Sequence, residues 1–282
     1  LAVAIVTDST SDIEPQRAKA LGIDVVPLFV VWGNKSYRDY VDLSRNEFYE
    51  KLASEPVLPT TSQPTSQMFE DAFRPHVEAG EDIVCLVISS KLSGTINAAR
   101  SAAAQFPKAN ITIVDSESVA GGLGMQAMHA RELAQGGASA EQIVTAIERE
   151  KGSQRLYACI PDLSHVVRTG RIGKARAVIG TLMKIVPVIS LRDGEVVAEA
   201  QVRTMTRAQE TMIDLALKNI SDPQNARFLV MHTNAPQLAA NILDRLRGRL
   251  QAAPKMLDIL EAGPVIATHG GPGAVGIFSA QD

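Results

Sequence analysis

Apolar positions in this chain come in short continuous runs, each followed by a polar turn and then a segment of helical period. Residues 1–6 and 83–88 are apolar on both faces, the pattern of strands buried in a parallel sheet. After the first run comes Thr7-Asp8-Ser9-Thr10-Ser11-Asp12; Pro15 then opens a helix that Gly22 closes. Residues 23–31 predict a second strand. Gly33-Asn34 predicts a turn toward Tyr37-Arg38-Asp39, and Ser44 with Glu47 a capping box for a helix through Leu52. A loop rich in Pro, Thr and Ser covers 56–64, and a helix 65–77. The run at 83–88 ends in Ser89-Ser90-Lys91-Leu92-Ser93-Gly94 before a helix through Ala104. A strand at 111–114 ends at Asp115-Ser116, and helices follow over 119–135 and 140–151. Repeated strand–loop–helix units predict a parallel sheet with helices on its faces.

The charged stretch Glu148-Arg149-Glu150-Lys151, followed by Gly152-Ser153, reads as a domain boundary, dividing the chain into 1–152 and 153–282. The second half predicts strands at 156–160, 185–191 and 196–201, the last two flanking the hairpin turn Asp193-Gly194. A basic helix-loop stretch covers 165–176. Helices at 206–220 and 235–250 alternate with strands at 228–231 and 255–260, and a last strand covers 276–279. Hairpins mixed with crossovers predict a mixed sheet. The fold class is therefore two α/β domains, one parallel and one mixed.

Hydrophobic residues at 45% and charged residues at 21% are ordinary for a globular chain with a sizeable core. A formal net charge of -3 speaks against a nucleic-acid groove. Cys85 and Cys159 lack the spacing of a disulfide framework or a zinc site, which fits a reducing cytoplasm. Cys85 reads as a core thiol. No apolar run approaches the roughly 18 residues that span a bilayer. The first residues lack a basic flank and reach Asp8 at once, so they read as a strand and not as a secretion signal.

Three polar clusters follow strands, where ligands bind in open α/β sheets: residues 7–12, 89–94 and 115–116. Ser93-Gly94-Thr95 starts a helix. Ser93 is either an N-cap or part of an anion site built on free N–H groups. Thr60-Thr61-Ser62-Gln63-Pro64-Thr65 is either a capped connection or a hydroxyl loop that grips a carboxylate or phosphate. Neither has a base beside it in sequence, so neither reads as an activated nucleophile. Asp8 and Asp12 suit a cation or a phosphoryl acceptor, or simply cap turns. Arg168-Thr169-Gly170-Arg171-Ile172-Gly173-Lys174, extended by Arg203 and Arg207, is a solvated loop or a surface for an anion or acidic partner. Thr268-His269-Gly270-Gly271-Pro272-Gly273-Ala274-Val275-Gly276 lets backbone approach something closely. It is neither a Walker nor a Rossmann loop, and His269 there can donate to a carboxylate. His76, His129, His165 and His232 show no metal-ligand spacing.

Taken in order, Thr7-Asp8-Ser9, Thr61-Ser62-Gln63-Pro64, Ser89-Ser90-Lys91-Leu92-Ser93-Gly94-Thr95, Val114-Asp115-Ser116, Arg168-Thr169-Gly170-Arg171-Ile172 and His269-Gly270-Gly271-Pro272-Gly273 resemble the DegV family over essentially the whole chain. Thr65 stands where many such proteins have Ser, and keeps the hydroxyl. The resemblance implies a long-chain fatty acid such as palmitate bound between two domains, the second completing a lipid tunnel. Hydroxyls at Thr61 and Ser93 would hold its carboxylate, with His269 nearby and Ser62, Gly94, Thr95, Gly121 and Gly122 around the pocket. Hydroxyl donors without a base, no nucleotide loop, no metal-ligand cluster, no basic bias and no spanning run predict, beside it, no cofactor, no metal, no nucleic acid, no stable membrane insertion and no stand-alone catalysis. Some such proteins carry the acyl substrate for an ATP-binding fatty-acid kinase subunit, which Arg171 and Arg203 would meet. A dihydroxyacetone-kinase-like phosphotransferase is the alternative at fold level, and a regulatory module using the 168–176 patch is a third.

The apolar, small-residue start at 119–125 leaves room for an acyl chain, with Met125, Met128 and Met183 as adaptable walls or ordinary core. Burial at about 0.8 kcal/mol per CH₂ gives a sixteen-carbon chain on the order of 12 kcal/mol before ordering and association costs. A hydrogen bond to a charged group adds only about 1.5–3 kcal/mol.

Overall fold

β1 (Val3–Asp8) is buried at all six positions because both of its faces are covered by helices. In chain order it is followed by α1 (Pro15–Leu21), β2 (Ile23–Val26), β3 (Phe29–Trp32), β4 (Lys35–Arg38), α2 (Arg45–Ser54), β5 (Thr60–Ser62) and α3 (Ser66–Glu78). Then come β6 (Asp82–Val87), α4 (Thr95–Ala103), β7 (Ile111–Asp115), α5 (Gly121–Gln135) and α6 (Ala140–Ser153). The computed structural model describes residues 2–175, 185–218 and 220–281. Arg176, at the end of the basic stretch, and Met183 lie outside them. The chain divides into two units, Leu1–Lys151 with Gly263–Val265, and Gly152–Ala262 with Ile266–Asp282.

In the first unit β2, β1, β6 and β7 pair in that order, all parallel. Alternate residues face opposite helical layers. Ile5, Val84 and Leu86 pack with Leu123, Ala127 and Ile143 on one face. Ala4, Val6, Cys85 and Val87 pack with Phe69, Phe73 and Ala99 on the other. The expected capping box is present: Glu47 N–H donates to Ser44 Oγ at 3.3 Å, and Ser44 N–H donates to the Glu47 carboxylate at 2.9 Å. Met125 is buried and Met128 packs against the Leu123 side, as core residues.

The single strand expected at 23–31 is two strands in two sheets. Pro27 has no N–H for a ladder, and Leu28 N–H turns aside to donate to Ser9 Oγ at 3.0 Å. Beyond it β3 pairs antiparallel with β4 and β5 in a three-stranded sheet, order β4-β3-β5. The segment expected to be a loop at 60–62 is therefore the edge strand β5.

The second unit runs β8 (Arg155–Cys159), α7 (Ser164–Arg168), β9 (Val186–Arg192), β10 (Glu195–Val202), α8 (Met205–Lys218), β11 (Ala226–His232), α9 (Pro236–Arg247), β12 (Met256–Glu261), α10 (Pro264–Gly270, whose first two residues belong to the first unit) and β13 (Val275–Gln281). Its sheet is mixed, order β10-β9-β8-β13-β11-β12, with β11 and β12 parallel and the other pairs antiparallel. Asp193 and Gly194 turn the hairpin at φ 50° and 75°, the left-handed pair that matches strand twist. α8 and α9 bury Met212, Ile213, Ile242 and Leu246 against Phe228, Val230 and Ile277.

α10 is an unexpected element. The 268–276 stretch reads as a glycine loop, yet Pro264 presets the first turn and Gly271, at φ 66°, ends the last. His269 and Gly270 are therefore helical, and the loop begins at Gly271. Among the described residues no helix is long and apolar enough to cross a membrane.

Candidate functional site

Two hydroxyl-bearing segments of the first unit, 60–65 and 89–95, touch at Gln63 and Gly94. Thr61 pairs with Val30 in the middle of β5, and Ser62 with Phe29 at its end. Gln63 then lays its carboxamide against Gly94, so closely that a Cβ at 94 would overlap it. Gly94 has φ −79°, so glycine serves close approach here and not an unusual backbone. Thr65 caps α3, with its Oγ1 accepting from Met68 N–H at 3.4 Å.

On the other side, β6 ends and the chain wraps around Ser89. Leu92 and Ser93 N–H both donate to the Ser89 carbonyl, at 2.9 and 3.1 Å. Gly94, not Ser93, is the cap residue of α4. Ser93 acts one step earlier: its Oγ accepts from Thr95 N–H at 3.3 Å and pairs with Thr95 Oγ1 at 2.9 Å. Part of the expected donor set at this helix start is thus already used internally. Gly121 and Gly122 open α5 fully buried, after Ala120 at φ 57°. Gly124 does not make room for a ligand, because a Cβ there would meet the carbonyl of Ser11 at 2.5 Å.

Asp8 is a structural cap. Its carboxylate accepts from Thr10 N–H and Oγ1 at 2.9 and 2.5 Å and from Ile88 N–H at 2.7 Å. Burial raises its pKa to about 6, against the lowering effect of these bonds. Among the described residues no group of three or more His, Cys, Asp or Glu is placed to hold a metal ion.

In the second unit His269 sits in the last turn of α10, with Nδ1 2.8 Å from Thr169 Oγ1. The Thr169 hydroxyl also lies 2.9 Å from the His165 carbonyl, to which it donates. With that proton spent, Thr169 Oγ1 accepts from Nδ1–H, which leaves the Nε2 side as the ring's acceptor. Donation from Nε2 to a carboxylate requires the other tautomer, with Thr169 turned to donate to Nδ1. Burial, then the charges of Arg171 and Arg168, push the pKa of His269 down to about 3. The imidazole is neutral at physiological pH, within the field of two guanidinium groups.

Arg171 is exposed and donates to the Thr169 carbonyl at 2.5 Å, which fixes the loop beside His269. Arg203 is exposed between β10 and α8. The glycines after His269 serve the protein itself. A Cβ at Gly271 would strike the His165 ring. Thr233 stitches the loop, donating from Oγ1 to the Gly271 carbonyl at 2.5 Å and accepting from Ala274 N–H at 2.9 Å.

Sequence reasoning missed Asp39 and Tyr40, both drawn into the buried polar network around Asp12. Tyr40 at φ 61° carries no signal that composition or periodicity reveals.

Comparison with known proteins places this architecture. The DegV family model, described as "Uncharacterised protein, DegV family", matches residues 2–282. A DegV domain-containing protein of Halalkalibacterium halodurans is 35% identical over 276 residues, covering 98% of this chain and 97% of the relative. A fatty-acid-binding DegV family protein from Thermus thermophilus superposes with TM-score 0.93 at 31% identity, over 100% of both chains. A stearic acid-binding protein from Eubacterium ventriosum superposes with TM-score 0.91 at 25% identity, over 99% of this chain and 98% of its own. Matched end to end by the family model and by relatives of this similarity, the chain belongs to the DegV family.

Proposed function

We propose that this chain binds a long-chain fatty acid and presents its carboxylate to a partner kinase. Thr61, Ser93 and His269 are its carboxylate-binding residues, and Ser62, Gly94, Thr95, Gly121 and Gly122 are the pocket residues beside them. The first unit supplies the carboxylate loops. The protein carries no resident cofactor, works in the cytoplasm and performs no chemistry alone. Arg171 and Arg203 form the docking edge for an ATP-binding kinase subunit, which converts the carboxylate to an acyl phosphate.

The observation that carries this reading is the meeting of Gln63 with Gly94. It brings two hydroxyl-bearing segments to one corner at the carboxyl end of β6, where an α/β sheet binds ligands. Structurally similar proteins from Thermus thermophilus and Eubacterium ventriosum bind fatty acids. His269 is neutral, so burying an acid head beside it need not bury a second charge, while Arg168 and Arg171 supply attraction from a distance.

Native mass spectrometry of the purified chain tests the reading, followed by solvent extraction of whatever it carries. The expected result is one fatty acid per chain. A delipidated protein that stays empty after incubation with palmitate would overturn it.

A further inference from the structure

The start of α10 has no cap of its own. Gly263 has no side chain and Pro264 has no N–H. The amides flanking that proline, which belong to the first unit, are held instead by carboxyls of the same unit. Gly263 N–H donates to Asp12 Oδ1 at 2.8 Å, and Val265 N–H to Asp39 Oδ1 at 3.3 Å. Asp12 and Asp39 are 0% and 1% exposed. Gly263 lies directly against Tyr40, whose ring a Cβ at 263 would overlap. The Tyr40 hydroxyl reaches Asp12 Oδ1 at 3.5 Å. Asp12 and Tyr40 both hold left-handed backbone, at φ 55° and 61°, which costs non-glycine residues free energy. The Oδ2 atoms of Asp12 and Asp39 are buried without a hydrogen-bond partner. One neutral amide or hydroxyl would cap this helix more cheaply than two half-satisfied acids on strained backbone.

We propose that Asp12 and Asp39 are positioning residues: a carboxyl clasp that fixes the first turn of α10, and through that helix the His269 imidazole at its other end, and that loosens when the carboxyls ionise. The functional half of this inference rests on the fatty-acid reading of His269.

The charged surroundings are specific. Burial raises Asp39 to about 7, opposed by bonds from Ser9 and Val265, with the nearby charge of Asp8 raising it further. Burial raises Asp12 as well, opposed by Gly263, Arg45 and Tyr40 and reinforced by Asp39. Tyr40 is itself raised by burial and by both acids. Glu14 is paired with Arg45. Lys19 and Asp24, together with Asp39 and Tyr40, line an adjoining cavity of about 280 Å³.

Opening the clasp hydrates the acids and restores their ordinary acidity. A folded pKa above the unfolded one means the clasp is most stable in acid. Its hold weakens as pH climbs from 3.8 toward about 7 and then levels for Asp39. Each ionising carboxyl lowers the closed-to-open ratio by about tenfold per pH unit inside that window.

Amide exchange of Gly263 and Val265 in the full chain, corrected for intrinsic rates, measures this directly between pH 5 and 7. Protection should fall steeply in the parent. Asp39→Asn, which keeps an acceptor oxygen but cannot ionise, should flatten the slope by about tenfold per pH unit. Asp12→Asn combined with Asp39→Asn should abolish it. The dissociation rate of bound palmitate should show the same ranking of slopes, the ligand's own ionisation being common to all three proteins. Identical slopes in parent and Asp39→Asn would overturn the clasp while leaving the binding reading intact. If no form binds palmitate, the fatty-acid reading fails, and the amide slopes still decide whether the clasp titrates.

Discussion

Replacing Gly124 with alanine should destabilise the first unit although it improves helix propensity. Gly124 lies within α5, where alanine is worth about 1 kcal/mol over glycine in a free helix. Against that gain, the added Cβ would sit 2.5 Å from the Ser11 carbonyl oxygen, with Ile13 Cγ1 at 3.7 Å. The near neighbour is backbone, in a fully buried turn pinned by Asp8 and followed by Asp12. It cannot swing aside as a side chain can. Overpacking of this kind costs about 1–3 kcal/mol, so the net change should be a loss of up to about 2 kcal/mol, or up to roughly 8 °C in Tm for a unit of this size. Trp32, the chain's single tryptophan, is buried in the first unit and reports its unfolding by fluorescence in urea. Gly152→Ala is the matched control: it lies in α6 with nothing within 4 Å of the new methyl, and should gain up to about 0.5 kcal/mol. If Gly124→Ala is as stable as Gly152→Ala, the turn at Ser11 is not the rigid surface described above.

Three further expectations follow from particular contacts. Ser93→Ala removes the hydroxyl paired with Thr95 and, on the proposed function, one donor to the acid head. Palmitate affinity should fall by about tenfold, corresponding to about 1.5 kcal/mol, and phosphorylation by a partner kinase should fall further; equal turnover for mutant and parent would contradict the role. On the same proposal, Arg171→Ala should leave palmitate binding intact while weakening capture of the loaded protein by a partner kinase in a pull-down, and weaker palmitate binding would count against a docking role. For His76, burial works against the charged form, but bonds to Asp24 and Glu81 at 2.5 and 2.6 Å outweigh it and raise the pKa. The ring therefore stabilises the fold in acid and loses that effect as pH rises through its raised value. Urea titrations should show His76→Gln costing more stability at pH 5 than at pH 8.

What the chain's pattern reveals depends on how local the determining physics is. β1 and β6 are legible because a strand buried on both faces is a continuous apolar run. The hairpin at Asp193-Gly194 is legible because two left-handed residues demand that chemistry. β2 and β3 look like one strand because Val25, Val26, Leu28 and Phe29 are apolar on both sides of Pro27, and the change of sheet is decided by Ser9 and by β5. β5 is three hydroxyl residues that only pairing with β3 makes a strand. α10 is signalled by Pro264 and Gly271, but the glycines after His269 carry the composition of a loop and mask that signal. The site's finer geometry was out of reach. His269 and Thr169 are 100 residues apart and Asp12 and Gly263 are 251 apart, and no periodicity connects them.

On the proposed function, these same contacts account for a ligand that is held and not transformed. A serine becomes a nucleophile when a base takes its proton. Among the described residues Ser93 Oγ pairs instead with Thr95, a second hydroxyl that cannot accept that proton usefully at neutral pH. His269 is committed to Thr169 and kept neutral by burial and two arginines. A fatty carboxylate, however, is already nucleophilic toward a phosphoryl group and needs only to be oriented and shielded from water. On the proposed function, an apolar enclosure worth on the order of 12 kcal/mol for sixteen carbons sets retention. Hydroxyls worth about 1.5–3 kcal/mol each set the direction of the head. On that division, head-group substitutions should change transfer to the kinase more than binding, and substitutions along the acyl chain the reverse. Equal effects of both classes on both readouts would mean that grip and presentation are not separable in this fold.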